Sequence, residues 1–359
     1  MSQNKFSVLL SNRQYQTGSA NTMRSREHHF STIFGTDDTF SIRVTGNGQA
    51  ADLRDHAEAR LHPADANLGL VCEGGGQRGI FTAGVLDSFM KENFFPFHTM
   101  IGVSAGAQNL SAYACGEPGY ARHAIMRYTT QKAFFDPMRF ARGGHLIDLD
   151  WYFDTLQNEA PLDLHRAHQM LEGRALFMCA SRCDTLKAEY LPFHIDRLPL
   201  SIKASSAIPL FYRGGVALNG VDYWDGGVAD ALPVQAAHRA GSNCIVLIRT
   251  VPRASGEWPA DESNEGVGKL RRKIRHEKLQ QTAAMVETHL ASYRNARAFI
   301  ERPPRDVTVI EIAPKRPLKS RLLGSAIEAL RHDYRLGQKC GRSFMEHFVR
   351  RLQGKSATT

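Results

Sequence analysis

Residues 68–90 read LGLVCEGGGQRGIFTAGVLDSFM. A continuous apolar run, a loop with four glycines and then apolar residues at helical spacing predict a strand, a tight turn and a helix. The alternation repeats downstream. HTMIGV (98–103) reads as a second strand, with a helix from about Gly106, and ALFMCAS (175–181), CIVLIRT (244–250) and VTVIEI (307–312) read as further buried strands. Strands that alternate with helices imply parallel pairing with crossover helices on the sheet faces, which sets the class as α/β.

Outward from this body the composition changes. Residues 1–66 are polar, without sustained periodicity, and are expected to form a flexible extension with a strand near TFSIRVTG. Residues 67–251 carry the α/β pattern. Residues 252–359 are expected to be basic and mainly helical, with a surface loop at 252–268 and helices from Lys269 to about Ile300 and from Leu318 onward. The charge is uneven: residues 269–359 hold 21 Lys and Arg against 8 Asp and Glu, whereas the rest of the chain holds 24 against 28. This basic surface reads first as a solvated helical face; an anionic membrane surface or a nucleic acid is the sharper alternative. In KLRRKIRHEKLQQ (269–281) the cations and a thin face of Leu270, Ile274 and Leu279 fit peripheral contact.

Of the 359 residues 42% are hydrophobic, yet no run approaches the roughly 18 apolar residues of a membrane-crossing helix. The first residues lack a signal-peptide pattern, so a cytoplasmic location is expected. The six cysteines are scattered through apolar stretches, as reduced thiols are. Cys179 and Cys183 lack the second pair that a zinc site needs.

Gly74, Gly76 and Gly79 satisfy the G-x-G-x-x-G of a dinucleotide-binding turn. That chemistry also wants a carboxylate at the end of the second strand, and a nucleotide triphosphate wants Gly-Lys-Ser/Thr. Neither is present. The second strand ends instead in Gly102-Val103-Ser104-Ala105-Gly106, a G-x-S-x-G turn that lifts a serine to a helix N-terminus. The glycine loop then has a different purpose. Bare backbone amides can approach the oxyanion that forms when Ser104 attacks an acyl carbonyl, and Arg78 adds a permanent cation. Downstream, VDYWDGGVADALPV places Asp225 on a tight turn with Gly226 and Gly227. His238, His276, His289 and His332 follow it, but none has a local active-site signature, and each reads as a surface or packing residue. Asp225 acting directly on Ser104 is the simpler reading.

GGGQRG, GVSAG, IKASSAIPLFY (202–212) and DGG, in this order, resemble the signatures of the patatin-like phospholipase family. The resemblance covers about residues 68–250. It implies a three-layer α/β/α fold with a mainly parallel central sheet, to which the C-terminal part adds a helical extension. It also implies hydrolysis of a phospholipid or other acyl ester by a Ser–Asp dyad without histidine, metal or cofactor. Ser104 would be the nucleophile and Asp225 the base. Gly75 and Gly76 would supply oxyanion amides with Arg78 beside them, and Ala105 would donate as the residue after the nucleophile. Gly74, Gly79, Gly102, Gly106, Gly226 and Gly227 are the remaining motif glycines.

An acyltransferase or small-ester esterase would use the same dyad and differ in the acyl acceptor. A membrane- or nucleic-acid-binding module on a vestigial hydrolase core is disfavoured by the intact Ser104, Asp225 and glycine loop. Pro209 ends the helix before it or shapes a pocket wall. The aromatic clusters FFDPMRF (134–140) and DLDWYF (148–153) serve as core or as acyl-chain contacts.

Overall fold

The computed structural model describes residues 29–34, 38–47, 67–253 and 277–350. Ten strands form one sheet. In chain order they are β1 (His29–Phe34), β2 (Phe40–Asn47), β3 (Leu68–Cys72), β4 (Thr99–Val103), β5 (Ala175–Arg182), β6 (Ala188–Pro192), β7 (Val216–Leu218), β8 (Val221–Asp225), β9 (Cys244–Ile248) and β10 (Thr308–Pro314). They lie in the order β1-β2-β10-β9-β3-β4-β5-β8-β7, with β6 also paired to β5. The centre, β10-β9-β3-β4-β5, is parallel. The outer pairs are antiparallel.

The apolar strands are continuous in sequence because both sheet faces are covered. Alternate residues enter different cores. Leu68, Leu70 and Cys72 join one cluster with Met100, Met178, Val246 and Ile310. Val71 joins the other with Ile101, Phe177, Leu247 and Val309. The first cluster is closed by Phe81, Val85 and Phe89 of α1 (Gly79–Lys91) and Leu110 of α2 (Ala105–Cys115). Along the chain follow α3 (Tyr120–Arg127), α4 (Pro137–Ala141), α5 (Leu149–Glu159), α6 (Leu164–Met170) and α7 (Leu198–Ser206). The second face is covered by Val234, Ala236 and Ala237 of α8 (Val234–Arg239) and by Tyr293, Ala296 and Phe299 of α9 (Glu277–Glu301). The last helix, α10 (Ile327–Phe344), returns Phe344 to the first face. Helix, sheet and helix make the three expected layers.

Two expectations are corrected. Residues 1–66 are not a uniformly flexible extension: TFSIRVTG supplies β2, whose buried Ile42 and Val44 pack in the main core, and β1 adds a further edge strand. The strand expected at 307–312 is β10, which sits between β9 and β2. Helix also does not resume at Leu318. The chain stays irregular to Ala326, and both the amide and hydroxyl of Ser320 donate to Asp333 Oδ2 at 2.6 Å. The proposed membrane segment at 269–276 and most of the loop at 252–268 lie outside the described residues. Among those described, no helix is long and apolar enough to cross a membrane. None of the six cysteines is in a disulfide, and Cys183 alone is not fully buried.

Candidate active site

Ser104 stands where β4 gives way to α2, at φ 53° and ψ −123°. A side-chain-bearing residue held there stores about 1–3 kcal/mol of backbone strain, so its surroundings must fix it. They do. Its amide donates to Ser205 Oγ at 2.9 Å, and that hydroxyl donates to the Cys179 carbonyl at 2.5 Å. Ser205 belongs to the ASSAIP segment, which the sequence flagged without giving it a task. On the inner side of the turn, a Cβ on Gly106 would lie 2.3 Å from the Cys72 carbonyl oxygen. Only glycine lets α2 begin this close to β3.

Asp225 ends β8, with its amide donating to Ala207 O at 2.9 Å and its carbonyl accepting from Ser181 Oγ at 2.8 Å. Its Oδ1 accepts from the Gly227 amide at 2.8 Å. Ser104 lines the same cavity as this carboxylate and favours its ionised form. Both side chains are buried, at 6% and 8% exposure. Burial pushes the Asp225 carboxyl up to about 6. Ser104, the Gly227 amide and the nearby His289 pull it partly back. A base poised near 6 is ionised at neutral pH and still basic enough to take a proton.

The raised value also bears on stability. The folded state holds this proton more tightly than the unfolded chain, whose value is near 3.8. The contribution is therefore full below about 4 and is lost as pH rises through about 6. The difference corresponds to about 3 kcal/mol against folding at pH 8. Asp225→Asn is expected to raise Tm by several degrees at pH 8 and to leave it unchanged at pH 3.5. Equal Tm values for the two proteins at pH 8 would contradict this.

In the same cavity as Ser104 and Asp225, Gly75 (φ 139°) and Gly76 (φ 55°) make the turn before the short helical loop Gly76–Arg78. Among the described residues the Gly75, Gly76 and Ala105 amides make no hydrogen bond. The Arg78 guanidinium folds back over Gly75, where a Cβ would sit 3.1 Å from its Nε. Gln77 points inward and locks the loop. Its Nε2 donates to Thr129 O and Oγ1 at 3.1 and 3.0 Å, and its Oε1 accepts from the Ser325 amide at 2.8 Å.

Glu73, which the sequence reading passed over, holds the loop from behind. Buried at 5% exposure, it accepts from the Thr250 amide at 2.6 Å, and Thr250 Oγ1 donates to Gly74 O at 2.6 Å. The cluster continues through Tyr293 and Arg249 to Glu311, with Arg249 Nη1 2.7 Å from Glu311 Oε1. Removing one member of a buried charged network costs about 3–5 kcal/mol. Glu73→Ala is expected to lower the unfolding free energy by that order in denaturant titration. A midpoint equal to the parent's would show that the network does not anchor the loop.

The histidine reading needs one correction. His238 faces Asp306 at 2.9 Å and His332 faces Asp333 at 2.8 Å, as peripheral residues do. His276 lies outside the described residues. His289 is different: its Nδ1 donates to Gly227 O at 2.6 Å, and the ring lines the same cavity as Ser104 and Asp225. Its sequence neighbours gave no warning, because only the packing of α9 across the Gly226-Gly227 turn brings it there. Thr282, Met285 and Val286 share its helical face and also line this cavity of about 330 Å³, opposite Ile208, Pro209 and Leu210. Pro209 thus does shape a pocket wall. Among the described residues no cluster of His, Cys, Asp and Glu could hold a metal ion.

A family model described as Patatin-like phospholipase matches residues 70–238, and a second, described as a domain of unknown function (DUF6363), matches residues 279–353. A protein of Escherichia coli (strain K12) named Uncharacterized protein YjjU is 48% identical over 294 residues, covering 81% of each chain. Among solved structures, VipD from Legionella pneumophila aligns with 92% of this chain and 72% of its own, at 13% identity and TM-score 0.41. Human GIVD cytosolic phospholipase A2 aligns with 91% and 69%, at 12% identity and TM-score 0.40. From the family match, the chain belongs to the patatin-like phospholipases.

Proposed function

We propose that this protein is a serine lipid acyl hydrolase that works through Ser104 and Asp225 alone. The observation that carries the reading is that Ser104 and the buried Asp225 carboxylate line one cavity with the glycine-rich loop. Asp225 takes the hydroxyl proton as Ser104 Oγ attacks the ester carbonyl carbon. The Gly75 and Gly76 amides, with Ala105 beyond the nucleophile, receive the oxyanion, and Arg78 adds positive charge at the loop. Asp225 then gives its proton to the departing alkoxide and leaves an acyl-Ser104. Water, deprotonated by the same carboxylate, releases the fatty acid and regenerates the hydroxyl. His289 is no relay in this scheme, since its Nδ1 is committed to Gly227 O while Asp225 shares the cavity with Ser104.

The base must be ionised to work, and burial sets its ionisation near 6. On a soluble ester, kcat/KM is therefore expected to fall about tenfold per pH unit below about 6 and to level off above it. A rate that does not change between pH 4.5 and pH 8 would contradict Asp225 as the base.

A further inference from the structure

α9 puts an imidazole on the wall of the cavity that Ser104 and Asp225 line. His289 is held there at two points. Its Nδ1 lies 2.6 Å from Gly227 O, and its ring packs on that of Tyr293, with centroids 5.9 Å apart and planes at 35°. A carbonyl oxygen only accepts, so Nδ1 carries the hydrogen, and the neutral ring keeps its lone pair on Nε2. Nε2 makes no hydrogen bond among the described residues and is reached by solvent. The same bond that excludes His289 as a relay to Asp225 thus leaves a fixed acceptor at the cavity wall.

The cavity has donors and acceptors in different places. The Gly75 and Gly76 amides and the Arg78 guanidinium are donors at the glycine loop. Asp225 and His289 Nε2 are acceptors at the Gly226-Gly227 turn and on α9. The other carboxylate on the wall, Glu73, is taken up by the Thr250 amide at 2.6 Å and the Tyr293 hydroxyl at 3.5 Å. A pair of acceptors matters at one stage of ester cleavage only. The ester that acylates Ser104 brings no O–H to its reacting end. The water that must then cleave acyl-Ser104 has two hydrogens, whereas an alcohol acceptor has one.

We propose that His289 Nε2 holds the water that cleaves acyl-Ser104. One hydrogen of this water points at Asp225 and leaves as a proton when the water oxygen bonds to the acyl carbon. The other points at His289 and stays on oxygen. When the bond from the acyl carbon to Ser104 Oγ breaks, Asp225 returns its proton to Oγ. The fatty acid departs with the hydrogen that faced His289, so the imidazole accepts a hydrogen bond and takes no proton. The proposal rests on the Ser104–Asp225 reading above and deepens it by naming the residue that selects the acyl acceptor. An alcohol satisfies Asp225 alone and turns its carbon substituent toward the imidazole. His289 therefore favours hydrolysis over acyl transfer.

The test is the ratio of methyl octanoate to octanoic acid formed when the full chain turns over p-nitrophenyl octanoate at pH 8 with methanol added. The ratio is taken within each protein, so it does not depend on how much of a variant folds. Two variants separate the two nitrogens. His289→Asn keeps a donor to Gly227 O and loses the acceptor at the Nε2 position. His289→Gln keeps an acceptor there and loses the bond to Gly227. A hydrogen bond to the attacking water corresponds to about fivefold in rate. His289→Asn is therefore expected to raise the ratio about fivefold, and His289→Gln to leave it within about twofold of the parent's. A ratio in His289→Asn within about twofold of the parent's overturns the proposal. So does a rise confined to His289→Gln, which would leave the ring only its hold on Gly227. Failure of the dyad reading shows separately: Ser104→Ala would then consume the ester as fast as the parent, and the proposal would fall with it.

Discussion

Ser104→Ala and Asp225→Asn are each expected to lower kcat for a lipid ester by at least about 10³-fold, with much smaller changes in KM. In the proposed mechanism the nucleophile and its base form one unit. Asp225 lines one cavity with Ser104, and its Oδ1 accepts from the Gly227 amide. Loss of activity by unfolding can be told apart. Asp225→Asn is expected to be the more stable protein at pH 8, because it removes a carboxylate that burial makes costly to ionise. A variant that is both inactive and more stable marks a residue kept for chemistry at the expense of the fold. A variant with more than a tenth of parental activity would remove Asp225 from the mechanism.

The second large effect concerns the loop. At Gly76 the backbone has φ 55°, and a Cβ would lie 2.2 Å from the Leu322 carbonyl oxygen. That oxygen also accepts the Gln77 amide at 3.0 Å, so it cannot retreat without releasing the loop. Gly76→Ala is therefore expected to displace the oxyanion donors and lower kcat by about 10²–10³-fold, as loss of such a donor does elsewhere. Gly119 supplies the comparison. It has φ 86° but nothing within 4 Å of a built Cβ. Gly119→Ala carries the backbone penalty of about 1–2 kcal/mol without the collision and is expected to keep parental kcat. If both alanine variants lost activity equally, the loop argument would fail, since general destabilisation would then explain the result.

What the sequence made legible was whatever local backbone geometry demands. LGLVC, GVSAG and DGG announce a strand, a sharp turn with a raised serine and a turn with a carboxylate, because few other residues permit those shapes. The strand at TFSIRVTG was legible by its alternation, but not its place beside β10, which depends on pairing with a segment some 270 residues away. The same limit hid Glu73. It follows a strand as an ordinary acid and acquires its task from Thr250, 177 residues later. Ser205 sat in a recognised segment, yet its hold on the Ser104 amide spans 101 residues. His289 shows the limit most clearly: on a helix with no motif around it, the ring reaches the cavity because α9 crosses the Gly226-Gly227 turn.

The C-terminal part is also better understood through that helix. The sequence marks it as a basic, mainly helical part with one strand, since none of the four signature segments falls in it. In the fold, α9 supplies one wall of the cavity that Ser104 and Asp225 line and, through Tyr293, a member of the network behind the glycine loop. The region matched by the second family model thus reaches the dyad from the opposite side of the chain.

The most direct test of the central claim is intact-protein mass spectrometry after incubation with a small alkyl fluorophosphonate at pH 8, followed by peptide mapping. The account predicts one adduct per chain on Ser104, absent in Ser104→Ala and formed at least a hundredfold more slowly in Asp225→Asn. An unmodified parent protein, or an adduct mapped to any residue other than Ser104, would contradict it.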